Sequence, residues 1–266
     1  MKLTVATWNI NSLRLRQSLL HQLMDGLQPD VICLQETKVP DALFPEEIAG
    51  AIGFEHVLKR GMKGYNGVAI LSRLPITLMD NSPDWCAKND CRHIAARVET
   101  GSEPVIVHNF YVPAGGDIPD REQNVKFAHK LDFIAEAQAH FQAAPPARAI
   151  LVGDLNIAPL EHDVWSHKQL LGIVSHTPPE TTGLNAWMAE GFMDAVRHFV
   201  PPQEKLYTWW SYRNRDWEAS NRGRRLDHVW VTHDLAPGLV GYKILRDARN
   251  WTQPSDHVPV SVTLTV

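Results

Sequence analysis

Apolar residues follow two alternating patterns along the chain. Short runs rich in Val, Ile and Leu are typical of buried β-strands. Between several of these runs, apolar residues recur every three or four positions, which predicts amphipathic helices. The predicted strands cover residues 5–8, 31–35, 54–60, 67–72, 93–99, 105–107, 150–153, 226–232 and 258–266. The predicted helices cover residues 19–27, 45–53, 121–141, 165–171 and 182–190. This alternation indicates an α/β fold.

The two halves of the chain resemble each other in the order of these elements. Each half has a strand that ends in an amide or acid, at Asn9 and at Asp154, and an amphipathic helix. Each half also has a glycine-bearing turn that enters a strand, at Gly64–Leu71 and Gly223–Trp230, and a final apolar strand. We therefore expect two similar α/β layers that pack sheet on sheet, with their strand ends at one edge.

The bulk properties are those of an ordinary globular chain. Its 266 residues can bury a large core, and no linker-like segment divides them, so we expect residues 1–266 to form one domain. The apolar runs are only strand-length and no secretory segment is present, which predicts a cytoplasmic protein without membrane association. The three cysteines fit a reducing compartment. Cys86 and Cys91 could supply half of a metal site, but no matching Cys/His pair accompanies them.

The charge is modest overall but uneven. A net charge of −4 does not predict general attraction to nucleic acid. Five arginines nevertheless lie between positions 213 and 225, and they are Arg213, Arg215, Arg222, Arg224 and Arg225. This cluster is either a local phosphate-binding rim or a set of solvated loop charges, and composition alone leaves both interpretations open.

Polar side chains of the kind used in catalysis stand at the ends of the predicted strands. Core packing explains the apolar runs, but it does not explain why so many of them meet an acid, an amide or a histidine. Ligand sites in open sheets gather at strand ends, where the backbone stops pairing. The groups concerned are Asn9, Glu36, Tyr111, Asp154 with Asn156, and Asp256 with His257, to which Asp227 is added near a further turn.

The donor atoms of this set indicate a hard divalent cation. Carboxylate and amide oxygens suit Mg²⁺ or Mn²⁺ rather than Zn²⁺. A phosphodiester is the substrate that such a site implies, because a cation can neutralise its oxygens, and His257 could serve acid–base chemistry or clamp a phosphate. A single Asp-His pair is usually a surface feature, so the inference depends on the joint pattern.

Six segments resemble the motifs of the exonuclease III family of apurinic/apyrimidinic endonucleases, within the endonuclease/exonuclease/phosphatase superfamily. They occur in family order and are Thr7–Arg14, Leu34–Lys38, Gly64–Ser72, Gly153–Asn156, Asn221–Asp227 and Ser255–His257. The Gly-Asp-x-Asn and Ser-Asp-His motifs are shared across the superfamily. The Leu-Gln-Glu-Thr-Lys, Gly-Tyr-x-Gly-Val-Ala and Asn-x-Gly-x-Arg-Leu-Asp motifs are more specific to its DNA-repair branch.

The resemblance implies a four-layer α/β sandwich, two face-to-face sheets flanked by helices, formed by one catalytic domain. It implies Mg²⁺, or Mn²⁺ as a substitute, held chiefly by Glu36, with Asn9 and Asp256 as further residues that would hold the metal or its waters. Asp154 would activate the attacking water and Asn156 would position it. His257, held by Asp227, would bind the scissile phosphate. Tyr111 would contact the phosphate or assist the leaving oxygen.

The implied substrate is double-stranded DNA with abasic sites or blocked 3′ ends, cleaved by a monomer without an obligatory protein partner. Trp209 and Leu226 would wall the pocket for an extrahelical abasic sugar, since a missing base removes the stacking cost of flipping. The expected contacts to the DNA backbone come from Arg14, Lys38, Tyr65, Asn66 and Arg222.

Three positions depart from the family pattern. Ala114 stands where the family commonly has an amide, so one phosphate contact is missing or is supplied elsewhere. Asp117 lies near where some relatives place a basic residue that penetrates DNA. Arg224 replaces a common apolar residue and predicts a more polar sugar pocket.

Other functions of the same superfamily remain open at this stage. One alternative is a phosphoesterase that acts on RNA, inositol lipids or sphingomyelin. A second is a catalytically weak RNA-binding regulator of the same fold. The presence of Glu36, Asp154, Asn156, Asp227 and His257 weighs against the regulator, and the Trp and Arg residues of 209–225 favour a nucleic acid. The balance between cleavage at abasic sites and work at 3′ ends is not fixed by the sequence.

Overall fold

The strands form two six-stranded sheets. The computed structural model describes residues 1–79 and 83–266. The strands of these residues are β1 (Lys2–Asn9), β2 (Val31–Gln35), β3 (His56–Arg60), β4 (Val68–Ser72), β5 (Ile76–Leu78), β6 (His93–Val98), β7 (Val105–Tyr111), β8 (Ala149–Asp154), β9 (Phe192–Asp194), β10 (Asp227–Thr232), β11 (Leu239–Ile244) and β12 (Val260–Thr265). The α-helices are α1 (Leu13–Arg16), α2 (Leu19–Leu27), α3 (Glu46–Ala51), α4 (Val125–Ala143), α5 (His167–Leu170), α6 (Pro178–Ala189) and α7 (Trp217–Ser220).

The two sheets have the same internal order. The first runs β11-β12-β1-β2-β4-β3 and the second runs β5-β6-β7-β8-β10-β9. The central pair of each sheet, β1 with β2 and β7 with β8, is parallel, and the other neighbours are antiparallel. The pseudo-two-fold relation predicted from the sequence is therefore present, with β1, β2, β3 and β4 equivalent to β7, β8, β9 and β10.

Each half of the chain gives its last two strands to the other sheet. The pair β5–β6 follows β4 in the chain but joins the second sheet beside β7, and β11–β12 joins the first sheet beside β1. The predicted equivalence of Asn9 with Asp154 is wrong in detail. Asn9 ends β1, and the equivalent strand in the other half is β7. Asp154 ends β8, and the equivalent strand there is β2.

Apolar side chains pack at three interfaces, one between the two sheets and one between each sheet and its helices. The facing sides of the sheets bury one cluster, to which Val5, Ile70, Val107 and Val152 belong. Helix α2 covers the outer side of the first sheet, and α4 with α6 covers the outer side of the second. The four-layer sandwich expected from the sequence is thus confirmed.

Helix boundaries follow local capping. Helix α4 begins at Val125 rather than at the predicted residue 121, because the Asn124 side chain accepts a hydrogen bond from the Lys126 amide. Helix α6 begins earlier than predicted, at Pro178, since Thr177 and Glu180 form a capping box. Among the described residues, no helix has the length and apolar character needed to cross a membrane.

Candidate active site

The predicted catalytic side chains meet at one edge of the two sheets. Strands β7 and β8 end side by side, so that Tyr111 is in register with Asp154. Strand β10 runs antiparallel to β8 and begins where β8 ends, which places Asp227 opposite Asp154. The loop before β12 brings His257 to the same edge, and its backbone carbonyl accepts a hydrogen bond from the Trp8 indole at 3.1 Å.

Asn9 lies at the centre of the site and is fully buried. Its Nδ2 donates to Glu36 Oε1 at 2.9 Å and to Asp154 Oδ2 at 2.8 Å. Its Oδ1 accepts from the backbone amide of Asn11 at 3.0 Å. In this orientation Asn9 holds two carboxylates as a donor, whereas the sequence analysis assigned it to a metal. The role of Asn9 in holding the metal or its waters stays a prediction.

His257 is aligned between two buried acids. Its Nδ1 hydrogen-bonds to Asp227 Oδ2 at 2.8 Å, and its Nε2 lies 3.6 Å from Asp154 Oδ2. Burial on its own lowers the pKa of His257, but the negative charges of Asp227 and Asp154 outweigh it and raise the pKa to about 10. The imidazole is therefore cationic at neutral pH, with one N–H directed to Asp227 and the other towards Asp154.

Asp154 has the opposite electrostatic character. Burial and the neighbouring charge of Asp227 raise its pKa to about 7, although His257 and the Asn9 amide favour the ionised form. The carboxylate accepts from the Asn156 backbone amide at 2.9 Å and from Asn156 Nδ2 at 3.2 Å. Two groups whose pKa values are driven apart in this way can divide acid and base roles.

The charge of His257 can be tested directly in metal-free protein. Asp227→Asn removes the partner that most raises the pKa of His257, so we expect that pKa to fall from about 10 towards its ordinary 6.5. NMR titration of the imidazole measures this, with Asp132→Asn on the exposed face of α4 as the control. Because the folded-state pKa is raised, the pair's stabilising contribution is complete below pH 6.5 and is lost as the pH rises through 10. An unchanged titration in Asp227→Asn contradicts the assignment.

Glu36 is held by three donors. Tyr111 donates its hydroxyl hydrogen to Oε1 at 2.9 Å, Asn9 donates to the same oxygen, and Lys38 Nζ lies 2.7 Å from Oε2. Burial raises the pKa of Glu36, but the positive charge of Lys38 and the hydrogen bond from Asn9 outweigh this effect. The pKa therefore lies below its ordinary value, and the carboxylate is ionised at neutral pH. Tyr111 keeps its proton, since burial and the charges of Glu36 and Asp154 raise its pKa well above the ordinary value.

Asn11 is a site residue that the sequence analysis did not select. Its Nδ2 donates to Asp256 Oδ1 at 3.1 Å and its Oδ1 accepts from Lys38 Nζ at 2.6 Å. Asp256 Oδ2 also accepts from the Trp209 indole at 2.9 Å. The sequence signal that could have identified Asn11 is its amide side chain two positions after Asn9. Asn11 thus links Asp256 to the Glu36–Lys38 side of the site.

The residues present fit a hard cation. Among the described residues, the site has two positively charged side chains, Lys38 and His257. It has four carboxylates, which are Glu36, Asp154, Asp227 and Asp256. Ligand atoms of Asp154, Asp227 and His257 lie within 4.8 Å of one another. Asp227 Oδ1 is buried without a hydrogen-bond partner. An excess of oxygen donors and negative charge is what a divalent cation compensates.

An open cavity of about 1170 Å³ adjoins the site. Trp209, Arg222 and Arg224 line it, and Asp117 adds an acid to its wall. The Arg224 guanidinium lies 5.4 Å over the Trp209 ring and donates to Ser175 Oγ at 2.7 Å. The cavity wall is thus more polar than an apolar residue at 224 would make it.

The predicted DNA-contacting residues divide into exposed and buried groups. Arg14, Tyr65 and Arg222 are exposed, and Lys38 is partly exposed. Asn66 is buried and donates to the Asp90 carbonyl at 2.8 Å, which gives it a structural role within its turn. Leu226 is also buried and packs with Trp209 and Leu170 behind the cavity surface. Ala114 is exposed, and its side chain offers no hydrogen bond.

Buried carboxylates and amides beside a cationic histidine, at the strand ends of a four-layer α/β sandwich, define a class: metal-dependent enzymes that hydrolyse phosphate esters. A family model described as the Endonuclease/Exonuclease/phosphatase family matches residues 6–257. The chain belongs to this family.

Its relatives cover nearly the whole chain. Exodeoxyribonuclease III of Haemophilus influenzae is 34% identical over 263 residues, which are 96% of this chain and 97% of that protein. The structure of an AP endonuclease from Archaeoglobus fulgidus is similar with a TM-score of 0.89 and 31% identity, over 99% of this chain and 100% of that one. The 3′ phosphatase NExo from Neisseria, solved with a product DNA hairpin, gives a TM-score of 0.89 and 28% identity over the same shares.

Proposed function

We propose that this protein is a Mg²⁺-dependent DNA-repair phosphodiesterase. It hydrolyses the DNA backbone 5′ to abasic sites and removes 3′ nucleotides or 3′-blocking groups. The observation that carries the proposal is the Asp227–His257–Asp154 arrangement, beside Glu36 and at the mouth of an aromatic, arginine-lined cavity. Both sheets supply its residues, so we propose that the whole chain acts as one catalytic domain. The exonuclease and AP endonuclease relatives support this class of substrate.

Asp154 is the proposed base for the attacking water. Its pKa near 7 allows the carboxylate to accept a proton at neutral pH, which is the range in which a general base is most effective. The Asn156 side chain donates to Asp154 and to the Val112 carbonyl at 2.9 Å, and so fixes the plane of the carboxylate. Water held between Asp154 and Asn156 would be oriented before it reacts.

His257 is the proposed stabiliser of the transition state. Its Nδ1–H is engaged by Asp227, whereas its Nε2–H, which is directed towards Asp154 Oδ2 at 3.6 Å, would donate to a non-bridging phosphate oxygen once substrate is bound. Charge that develops on this oxygen during attack is stabilised by a cation that burial keeps from water. Tyr111, which remains protonated, is placed beside Glu36 to contact the phosphate or the leaving oxygen.

Glu36 and Asp256 are the proposed holders of Mg²⁺, and Mn²⁺ would be accepted by the same oxygens. When bound, the cation neutralises phosphate charge and assists departure of the leaving oxygen. Asn9 orients Glu36 and Asp154 towards the substrate, and Lys38 supplies a positive charge to Glu36. Lys38 is also placed to contact the DNA backbone.

Double-stranded DNA with an abasic site or a blocked 3′ end is the proposed substrate, bound by a monomer. Trp209 presents a ring at the cavity, with Leu226 behind it, where a sugar without its base would lie. Arg222, which lines the cavity, and the exposed Arg14 and Tyr65 are the proposed contacts to the DNA strands. Asn66 would act indirectly, by shaping the turn after Tyr65.

The test compares a duplex carrying one abasic analogue, a duplex with a 3′-phosphate end, an undamaged duplex and a structured RNA, each with Mg²⁺. We expect cleavage at the lesion of the first duplex and at the blocked end of the second. The undamaged duplex should lose nucleotides only from its 3′ ends, and the RNA should be cleaved little. Arg222→Ala should weaken binding to damaged and intact DNA alike and make the dependence of log K on log salt shallower by about one, because one phosphate contact is lost. Trp209→Ala should reduce the preference for the abasic duplex and leave the salt dependence nearly unchanged.

Two matched variants sharpen this comparison. Arg97→Ala removes an exposed arginine at the end of β6 remote from the site and should alter neither quantity. Trp209→Phe keeps an aromatic ring but loses the hydrogen bond to Asp256, which separates stacking from support of that carboxylate. Preferential cleavage of RNA would identify the protein as a different phosphoesterase. Binding of RNA without cleavage of any substrate would identify it as a regulator.

A further inference from the structure

A buried ion pair lies outside the set of residues used above. Lys130 of α4 and Glu180 of α6 are both fully buried, and Nζ lies 2.5 Å from Oε1. A buried ion pair is not in itself evidence of a contribution to stability, since apolar replacements of similar shape are often equally stable where no other buried group depends on the charges. Lys130 stands between Phe127 and Ile134 on the buried face of α4, so the sequence pattern alone would place an apolar residue there.

Every donor and acceptor of this pair has a partner in a loop of the site. The three protons of Lys130 are directed to Glu180, to the Asn156 carbonyl at 2.8 Å and to the Ala114 carbonyl at 3.3 Å. Glu180 accepts from the Ser175 amide at 2.9 Å and from the Thr177 hydroxyl at 2.6 Å. The pair thus connects the loops that follow β7 and β8 to the loop that precedes α6.

Two of the residues that it holds have unfavourable backbone angles. Asn156 has φ 53°, in the left-handed region that asparagine adopts more readily than most residues, and Ser175 has φ 87°, which a residue other than glycine rarely adopts. The Lys130 ammonium binds the carbonyl of Asn156, and the Glu180 carboxylate binds the amide of Ser175. Ser175 in turn holds Arg224 over Trp209, and Asn156 holds Asp154.

We propose that the Lys130–Glu180 pair positions the reaction centre and the cavity wall together, by fixing the backbone of Asn156 and of Ser175. The two residues are positioning residues, since neither touches the place where a phosphate would lie. Burial lowers the pKa of Lys130 while Glu180 and Asp154 oppose that lowering, so the ammonium also lies within electrostatic range of Asp154. The catalytic part of this inference rests on the proposed function.

The test uses the double variant Lys130→Met/Glu180→Leu, in which apolar side chains of similar length replace both charges. We expect a lower melting temperature, because the Ser175 amide, the Thr177 hydroxyl and the Asn156 carbonyl lose their buried partners. We also expect a kcat per folded molecule that is lower on the order of 10–100-fold with an unchanged KM for the duplex, because misplacement by about 1 Å has such an effect on rate. The control, Leu264→Ala, removes core volume at the end of β12 remote from His257 and should lower the melting temperature but not kcat.

A kcat per folded molecule equal to that of Leu264→Ala would overturn the proposal, because the pair would then only stabilise the fold. Glu180→Gln keeps the shape of the side chain and provides a second variant if the double variant fails to fold. In Glu180→Gln, amide hydrogen exchange at Asn156 should accelerate at least about tenfold while the β7 amides stay protected, because Lys130 loses its counter-ion and then holds the Asn156 carbonyl and its loop less firmly. Unchanged exchange at Asn156 would also overturn the proposal. This measurement needs no substrate, so it decides the inference even if the unmodified protein cleaves neither damaged duplex.

Discussion

His257→Asn is expected to lower kcat and kcat/KM together by about 10²–10⁴-fold, because it removes a cation that acts on charge present only in the transition state. Asp154→Asn is expected to lose activity in the same range, since an amide cannot accept the proton of the attacking water. Steady-state kinetics on the abasic duplex measures both effects. KM should change little, because neither interaction is needed to bind undistorted DNA.

The double variant His257→Asn/Asp154→Asn makes this result more specific. Residues that act on one step are strongly non-additive, so the double variant should be only slightly slower than the worse single variant. His21→Asn, on the exposed face of α2, is the control and should retain full activity. If His257→Asn turns over at near the unmodified rate, His257 does not stabilise the transition state.

Removal of divalent cations has the second large expected effect. Excess EDTA should abolish cleavage, and Mg²⁺ or Mn²⁺ should restore it, because four carboxylates at one site otherwise repel an anionic phosphate. Glu36→Ala should lose cation affinity, as calorimetry on the protein alone would report. Glu36→Gln should keep the hydrogen bonds around Asn9 and much of the stability, but with little turnover.

A variant of a distant acid provides the matched control for cation binding. Asp234 accepts a hydrogen bond from the Arg148 amide near the start of β8, at the opposite end of that strand from Asp154. The variant Asp234→Asn should bind the cation as the unmodified protein does. Cleavage that persists in excess chelator would remove the divalent cation from the mechanism. Equal cation affinity in Glu36→Ala would move the binding site to Asp154 and Asp227, which lie close enough together to share an ion.

The strand-end chemistry could be predicted from the sequence because register and burial follow from short-range patterns. A run such as Ile150–Val152 must be buried, and the residue after the strand must then emerge at its edge. Five predicted strand ends carry such polar groups. The order of the strands within the two sheets brings these ends together. The long helices were predicted for the same reason, although capping moved their ends by several residues.

Of the four edge strands that the structure describes, only β3 was predicted, and the other three could not be predicted in this way. Strands β5 and β9 have three residues each, too few for an alternating pattern, and β11 is only partly buried. Their pairing depends on neighbours that are distant in sequence. The exchange of β5–β6 and β11–β12 between the sheets is invisible to local patterns for the same reason, and it explains why Asn9 was matched to the wrong strand.

Side-chain orientation was a further limit. The sequence identifies Asn9 as an amide at a strand end, but only the hydrogen bond from the Asn11 amide shows which of its two ends faces the acids. In the sequence, Lys130 only interrupts the apolar face of α4. The structure shows that its ammonium donates to Glu180 and to the carbonyls of Asn156 and Ala114. Arg224 was expected to make the cavity polar, and its bonds to Ser175 and the Val174 carbonyl show how its charge is retained there.

The exchange of strand pairs between the two sheets also determines how the protein can fail. Without β11–β12 the first sheet loses the neighbour of β1, and without β5–β6 the second loses the neighbour of β7. We therefore expect that neither half can persist as an independent folding unit, because the sheet that each half builds takes two of its six strands from the other half. Glu36 and Asn9 come from one half, whereas Asp154 and Asp227 come from the other. We therefore expect unfolding to be cooperative across the whole chain, with loss of structure and loss of catalytic competence as a single event.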